Sequence, residues 1–111
     1  MSAEQNKAIV RQIFEAVWNT GDLSLMEAHP GLHEIMPTVQ RAIDAGIGKQ
    51  PSFMEIIGEG EWVAVRMLND LPQTGEFMGA PATGGKMEII QLVRVVDGVI
   101  VKQHSQAGQV N

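Results

Sequence analysis

A handful of side chains in this chain could act on a bound molecule. His104, in Gln103-His104-Ser105, is the best general base by residue type. An unperturbed imidazole titrates at about 6.5, nearest to neutrality. The other reading is a half-exposed histidine close to a frayed terminus. Asp70 follows the run Trp62–Leu68 in a loop led by Asn69 and is the nearest candidate carboxylate. Loop aspartates also cap turns. Arg66 sits mid-strand among apolar neighbours, where a charge needs a partner or an opening. It would hold an oxyanion or carboxylate, or else close a cross-strand ion pair with Glu88 or Glu76. Gln91 is polar inside the apolar run Met87–Val95 and would orient a ligand or bond to a neighbouring strand. Gln103, Trp18 and Met67 complete the candidate ligand contacts. Trp18, like Trp62, also reads as a core or interface residue.

Other chemistries are excluded or weak. There is no cysteine, hence no thiol nucleophile, disulfide or thiolate zinc site. His29 and His33 lie four apart, but Pro30-Gly31 breaks any shared helix, so no metal pair is expected. Thr83-Gly84-Gly85-Lys86 lacks the spacing of a phosphate loop, and no nucleophile elbow or dinucleotide fingerprint is present. The formal net charge of −5 argues against nucleic acid and against an anionic membrane surface. No apolar run approaches the ~18 residues of a membrane span, and the N-terminus is not patterned as a signal peptide, so the expected compartment is the cytoplasm. The seven methionines suggest an adaptable apolar lining, with Met36, Met54, Met67, Met78 and Met87 as candidates to face a flat hydrophobic ligand.

The elements that must position these groups follow from periodicity. Ala3–Asn19 reads as a helix, with Ile9, Val10, Ile13, Phe14 and Val17 on its apolar side. Ser2 with Gln5 forms a capping box and Gly21 ends the helix. Asp22 caps a short helix, Leu23–Ala28, which His29-Pro30-Gly31 breaks. A third helix covers Leu32–Ala45, with its start near Met36 because Pro37 suits a first turn. Gly46-Ile47-Gly48 ends it. Four strands are then expected: Pro51–Ile57, Trp62–Leu68, Met87–Val95 and Ile100–His104, followed by a polar tail. Trp62–Leu68 alternates only weakly, as in a strand covered on both faces. Val96-Asp97-Gly98-Val99 carries a tight hairpin turn. Helices followed by an antiparallel meander make one α+β domain over residues 1–111.

Four stretches resemble the SnoaL-like polyketide cyclase family, in order and over most of the chain. They are Val17-Trp18-Asn19-Thr20-Gly21-Asp22-Leu23, Glu59-Gly60-Glu61-Trp62-Val63-Ala64-Val65-Arg66, the glycine- and proline-punctuated stretch from Thr74 to Gly84, and Arg94-Val95-Val96-Asp97-Gly98-Val99-Ile100-Val101. The resemblance implies helices packed on a strongly curved antiparallel sheet, a cone-shaped barrel of the nuclear transport factor 2-like (cystatin-like) type. It also implies cofactor-free acid/base chemistry on a hydrophobic carbonyl substrate. A buried Asp is the acid/base of the family cyclases, and relatives on the fold isomerise, dehydrate or only bind. A homodimer paired through the sheets is likewise implied. The chain departs from the family in two places. The family's first strand, between the second and third helices, is missing, with His29-Pro30 as its remnant. Ser105 stands where the last strand usually carries a carboxylate. Against the cyclase or isomerase reading stands a non-catalytic ligand-binding or dimerisation module on the same fold.

Overall fold

The computed structural model describes residues 2–45, 53–70 and 86–110, with side chains for all of these but 53, 109 and 110. Helix α1 (Ala3–Thr20) begins at the expected capping box: the Gln5 backbone N–H donates to Ser2 Oγ, and the Ser2 N–H donates to Gln5 Oε1. It ends at Gly21, whose φ of 73° lets its N–H reach the Val17 carbonyl at 2.8 Å. Between these caps the helix buries Asn6, Val10, Ile13, Phe14, Val17 and Trp18 on one face. The Asn6 amide donates to the Gly60 carbonyl and ties α1 to the first turn of the sheet.

The expected helix over Leu23–Ala28 is only a 3-10 turn, Ser24–Met26. Asp22 starts it by accepting the Ser24 N–H at 2.9 Å. A second 3-10 helix, Pro30–Ile35, leads into α2 (Met36–Asp44), which has Pro37 in its first turn as the sequence requires. Among the described residues no strand stands between α1 and α2. Residues 46–52, where the helix end and the first residues of a strand were expected, lie outside the described residues, as do Glu76 and Met78.

Four strands form one antiparallel sheet in the order β1 (Phe53–Glu59), β2 (Trp62–Asp70), β3 (Lys86–Val96), β4 (Val99–Val110). The hairpin between β3 and β4 turns at Asp97 and Gly98, both at positive φ. β2 alternates cleanly, contrary to the sequence reading: Val63, Val65, Met67 and Asn69 are buried against the helices, while Trp62, Ala64, Arg66, Leu68 and Asp70 face outward. β4 also differs from expectation. It does not fray at Ser105 but pairs with β3 as far as Val110.

The pairing of β3 with β4 slips by one residue at its start. Val95 faces Ile100 but Arg94 faces Lys102, leaving Val101 unpaired as a bulge. The corner His29-Pro30-Gly31 packs on this bulge. His29 Nδ1 accepts the Ile100 N–H at 3.0 Å. A Cβ on Gly31 would lie 2.3 Å from the Lys102 nitrogen and 2.5 Å from the Val101 carbonyl carbon, so only glycine permits the approach.

Burial, and secondarily the nearby His33, holds the His29 pKa below the usual histidine value. Its neutral ring accepts the Ile100 N–H, and a proton on Nδ1 would remove that acceptor. With the folded pKa lowered, this stabilisation is fully present above the unfolded value of about 6.5 and is lost as pH falls through the folded one. The thermal midpoint by circular dichroism should therefore fall between pH 7.5 and pH 5 in the wild type. In His29→Leu it should start lower and fall less. Equal slopes in the two proteins would contradict this role.

Candidate functional site

A cavity of about 130 Å³ lies between the inner face of the sheet and the helices. Phe14 and Trp18 of α1 and Ile35, Val39 and Ala42 on the α2 side form its helical wall. The sheet side carries Met67 from β2 and Met87, Ile89 and Gln91 from β3. Ser105 and Ala107 of β4 close the far edge and are themselves exposed, so the cavity communicates with solvent there. Lining of this kind, apolar with a few placed polar groups, is what small-molecule pockets share.

The polar edge follows from strand register. Gln91 is paired with Ser105, and Val93 with Gln103, so Gln103 and Ser105 share the inner face with Gln91. Gln91 is only 5% exposed. Its Nε2 donates a long bond, 3.4 Å, to Gln103 Oε1, and the Ser105 hydroxyl donates to the same oxygen. With the Gln103 carbonyl taking both donors, the Gln91 carbonyl oxygen, its second N–H and the lone pairs of Ser105 can meet a ligand. Thr38 adds a hydroxyl from α2. Among the described residues, no side chain lining the cavity ionises near neutral pH.

The candidates divide by face. Gln91, Trp18 and Met67 line the cavity, and Gln103 braces Gln91 from beside it. His104 does not. It pairs with Leu92 on the outer face, is exposed, and stacks on Trp62 with ring centroids 6.4 Å apart. The bulge at Val101 is the reason, since one extra residue exchanges the faces of every position after it. Asp70 is not in a loop but ends β2, where it pairs with Lys86 at 2.6 Å on the outer face. Arg66 also faces outward, with its Nε 2.7 Å from Glu88 Oε2, the cross-strand ion pair of the structural reading. His104, Asp70 and Arg66 are therefore all removed from the cavity. Of the methionines expected to line it, Met67 and Met87 do, while Met36 and Met54 pack against the core. Met26, Thr38 and Ser105 line it without having been singled out as contacts. Plain alternation from Ile100 would have put His104 inward and missed Ser105, which the bulge turns to the inner face.

No family model matches the sequence, and no curated protein does. Solved structures match it in fold. AclR of Streptomyces galilaeus, provisionally described as a hydroxylase, superposes with a TM-score of 0.75 at 24% identity, covering 96% of this chain and 81% of AclR. A SnoaL-like polyketide cyclase, also provisionally so described, from Jannaschia sp. CCS1 gives 0.70 at 20% identity, over 95% of this chain and 86% of the other. A protein with a cystatin-like fold from Xanthomonas campestris gives 0.61 at 16%, over 96% and 92%. The chain thus has the α+β fold of the SnoaL-like and cystatin-like proteins, helices packed on an antiparallel sheet. Among the described residues, no helix is long and apolar enough to cross a membrane.

Proposed function

We propose that this chain is a SnoaL-like pocket protein that binds a small, mostly apolar molecule bearing a carbonyl or hydroxyl group, and that it binds rather than catalyses by acid/base chemistry. One observation carries the reading: among the described residues the cavity has an apolar wall and a neutral amide–hydroxyl edge, Gln91 with Ser105, and no titratable group. Cofactor-free enolisation at neutral pH needs a base tuned to that range. An amide has none to offer, whereas it hydrogen-bonds a carbonyl or hydroxyl well. The resemblance to polyketide cyclases and the described hydroxylase and cyclase neighbours support a carbonyl-bearing aromatic or polyketide-like ligand. The cavity is close in size to the ~150 Å³ apolar cavity known to hold benzene, which favours a single ring.

Calorimetric titration with acetophenone and with its apolar isostere isopropylbenzene tests this. The wild type should bind both. Ala42→Phe, which fills the cavity from α2, should bind neither while keeping the fold. Gln91→Leu should weaken acetophenone alone, by up to about tenfold, the scale of one hydrogen bond. Binding of neither compound to the wild type would overturn the reading.

The outer face of the sheet we assign to a second copy of the chain. Ile57, Trp62, Ile90 and Leu92 are exposed there by 63, 37, 47 and 38%. Each of Arg66, Lys86 and Arg94 on that face is matched across the strands or turn by Glu88, Asp70 or Glu61. An apolar, internally charge-matched face is self-complementary, as a two-fold interface must be. Such pairing would also cover the outward residues whose apolar character weakened the sequence alternation of β2. Size-exclusion chromatography with light scattering should give twice the chain mass, and Ile90→Glu should halve it. A wild-type monomer at micromolar concentration would contradict the assignment. We place the protein in the cytoplasm, in keeping with its lack of cysteine.

A further inference from the structure

Asn69 is fully buried, and among the described residues neither atom of its side-chain amide has a hydrogen-bond partner. Such a group carries an uncompensated desolvation cost and calls for an explanation. It does not cap a helix or bond across the sheet, and it takes no part in the Gln91–Gln103–Ser105 cluster. Its position is informative. On β2 it shares the inner face with Met67, two residues earlier, and it pairs directly with Met87 on β3. Both methionines line the cavity. Asn69 does not itself line the cavity; by register it stands beside the end away from Gln91, next to two flexible, unbranched side chains that do.

Resting on the binding role proposed above, we infer that Asn69 is a second polar contact for the ligand. The molecule this pocket takes is elongated, with an apolar centre and a polar group at each end. Met87, Ile89 and Gln91 are successive inward residues of β3. At about 3.3 Å per residue, the Met87–Asn69 level and the Gln91–Ser105 level are separated by ~13 Å of strand. A ring with a short side chain spans such a distance along the Met67, Met87 and Ile89 surface. The Gln91–Ser105 end meets a carbonyl or phenolic hydroxyl. The Asn69 end, which offers one acceptor oxygen and two donor hydrogens, meets a group presenting donor and acceptor together, such as a primary carboxamide. The two contacts set a selection rule. An amide-ended ligand satisfies Asn69, whereas an equally shaped hydrocarbon end leaves it unpaired, and buried polar sites discriminate strongly in this direction.

The test uses 3-(4-hydroxyphenyl)propanamide and its hydrocarbon isostere 4-(3-methylbutyl)phenol, titrated calorimetrically into the wild type, Asn69→Leu and Asn69→Ala. Asn69→Leu should weaken the amide by about tenfold or more and leave the hydrocarbon unchanged or tighter. Asn69→Ala should weaken the amide likewise, which keeps the test available if leucine does not fit. The ligand-free Asn69→Leu protein should also melt above the wild type, because an unpaired amide has been removed. If both compounds bind the wild type and neither Asn69 variant changes the amide affinity, the second contact is refuted and the pocket stands. If neither compound, nor acetophenone, binds the wild type, the pocket itself is refuted.

Discussion

Where β4 passes from Ile100 to Lys102 the strand changes phase, and the contents of the cavity depend on that change. Before the bulge Ile100 takes the inner face and is buried in the core, and after it Gln103 and Ser105 take the inner face. Without the extra residue, Lys102 and His104 would occupy the inner face, opposite Val93 and Gln91. The bulge is held from outside the sheet. The His29 imidazole takes the Ile100 N–H, and Gly31 presses against the backbone of Val101 and Lys102 at a distance that admits no side chain. A corner that joins two 3-10 helices thus selects which residues of a strand 70 positions later line the pocket.

The consequence is chemical. The inner face receives amides and a hydroxyl, and three cations of the described sheet are paired outward: Arg66 with Glu88, Lys86 with Asp70, Arg94 with Glu61. Surface pairs of this kind contribute little to stability, on the order of 0–1 kcal/mol each. They do keep the outer face electrically balanced. On the inner side, neutrality suits a ligand that is itself largely uncharged. A fold shared with polyketide cyclases supplies the chamber, while the residues within it set what the chamber can do.

Much of the frame was legible in the sequence because its signals are local. Ser2 with Gln5, Gly21 after α1, Pro37 at the start of α2 and Asp97-Gly98 in the last hairpin each act on backbone within a few residues. That no strand stands between α1 and α2 could be read from the short distance between Met26 and Leu32. What escaped was set at long range. Nothing in Val99-Ile100-Val101-Lys102 marks a bulge, since its cause is His29 and Gly31, far earlier in the chain. Asp70 read as a loop residue because its partner, Lys86, lies beyond a long intervening stretch. Ser105–Val110 read as a tail because its residues are polar and small, yet as an edge strand it needs only β3 on one side. Gln91 and Gln103 were identified by type, but their meeting required the register. Asn69 was read only as the head of a loop, because an asparagine before an aspartate looks like a turn.

The methionine methyl groups offer the most direct test of the site. Met26, Met67 and Met87 line the cavity, whereas Met36 and Met54 pack against the core without lining it. With methyl-labelled methionine, a carbon–proton correlation spectrum recorded during titration with acetophenone reports each of them. A ligand in this cavity should give progressive, saturating shifts of the Met26, Met67 and Met87 methyls, with Met36 and Met54 nearly still, and Ala42→Phe should abolish those shifts. Saturating shifts that leave Met26, Met67 and Met87 unmoved, or no shifts at all, would contradict it.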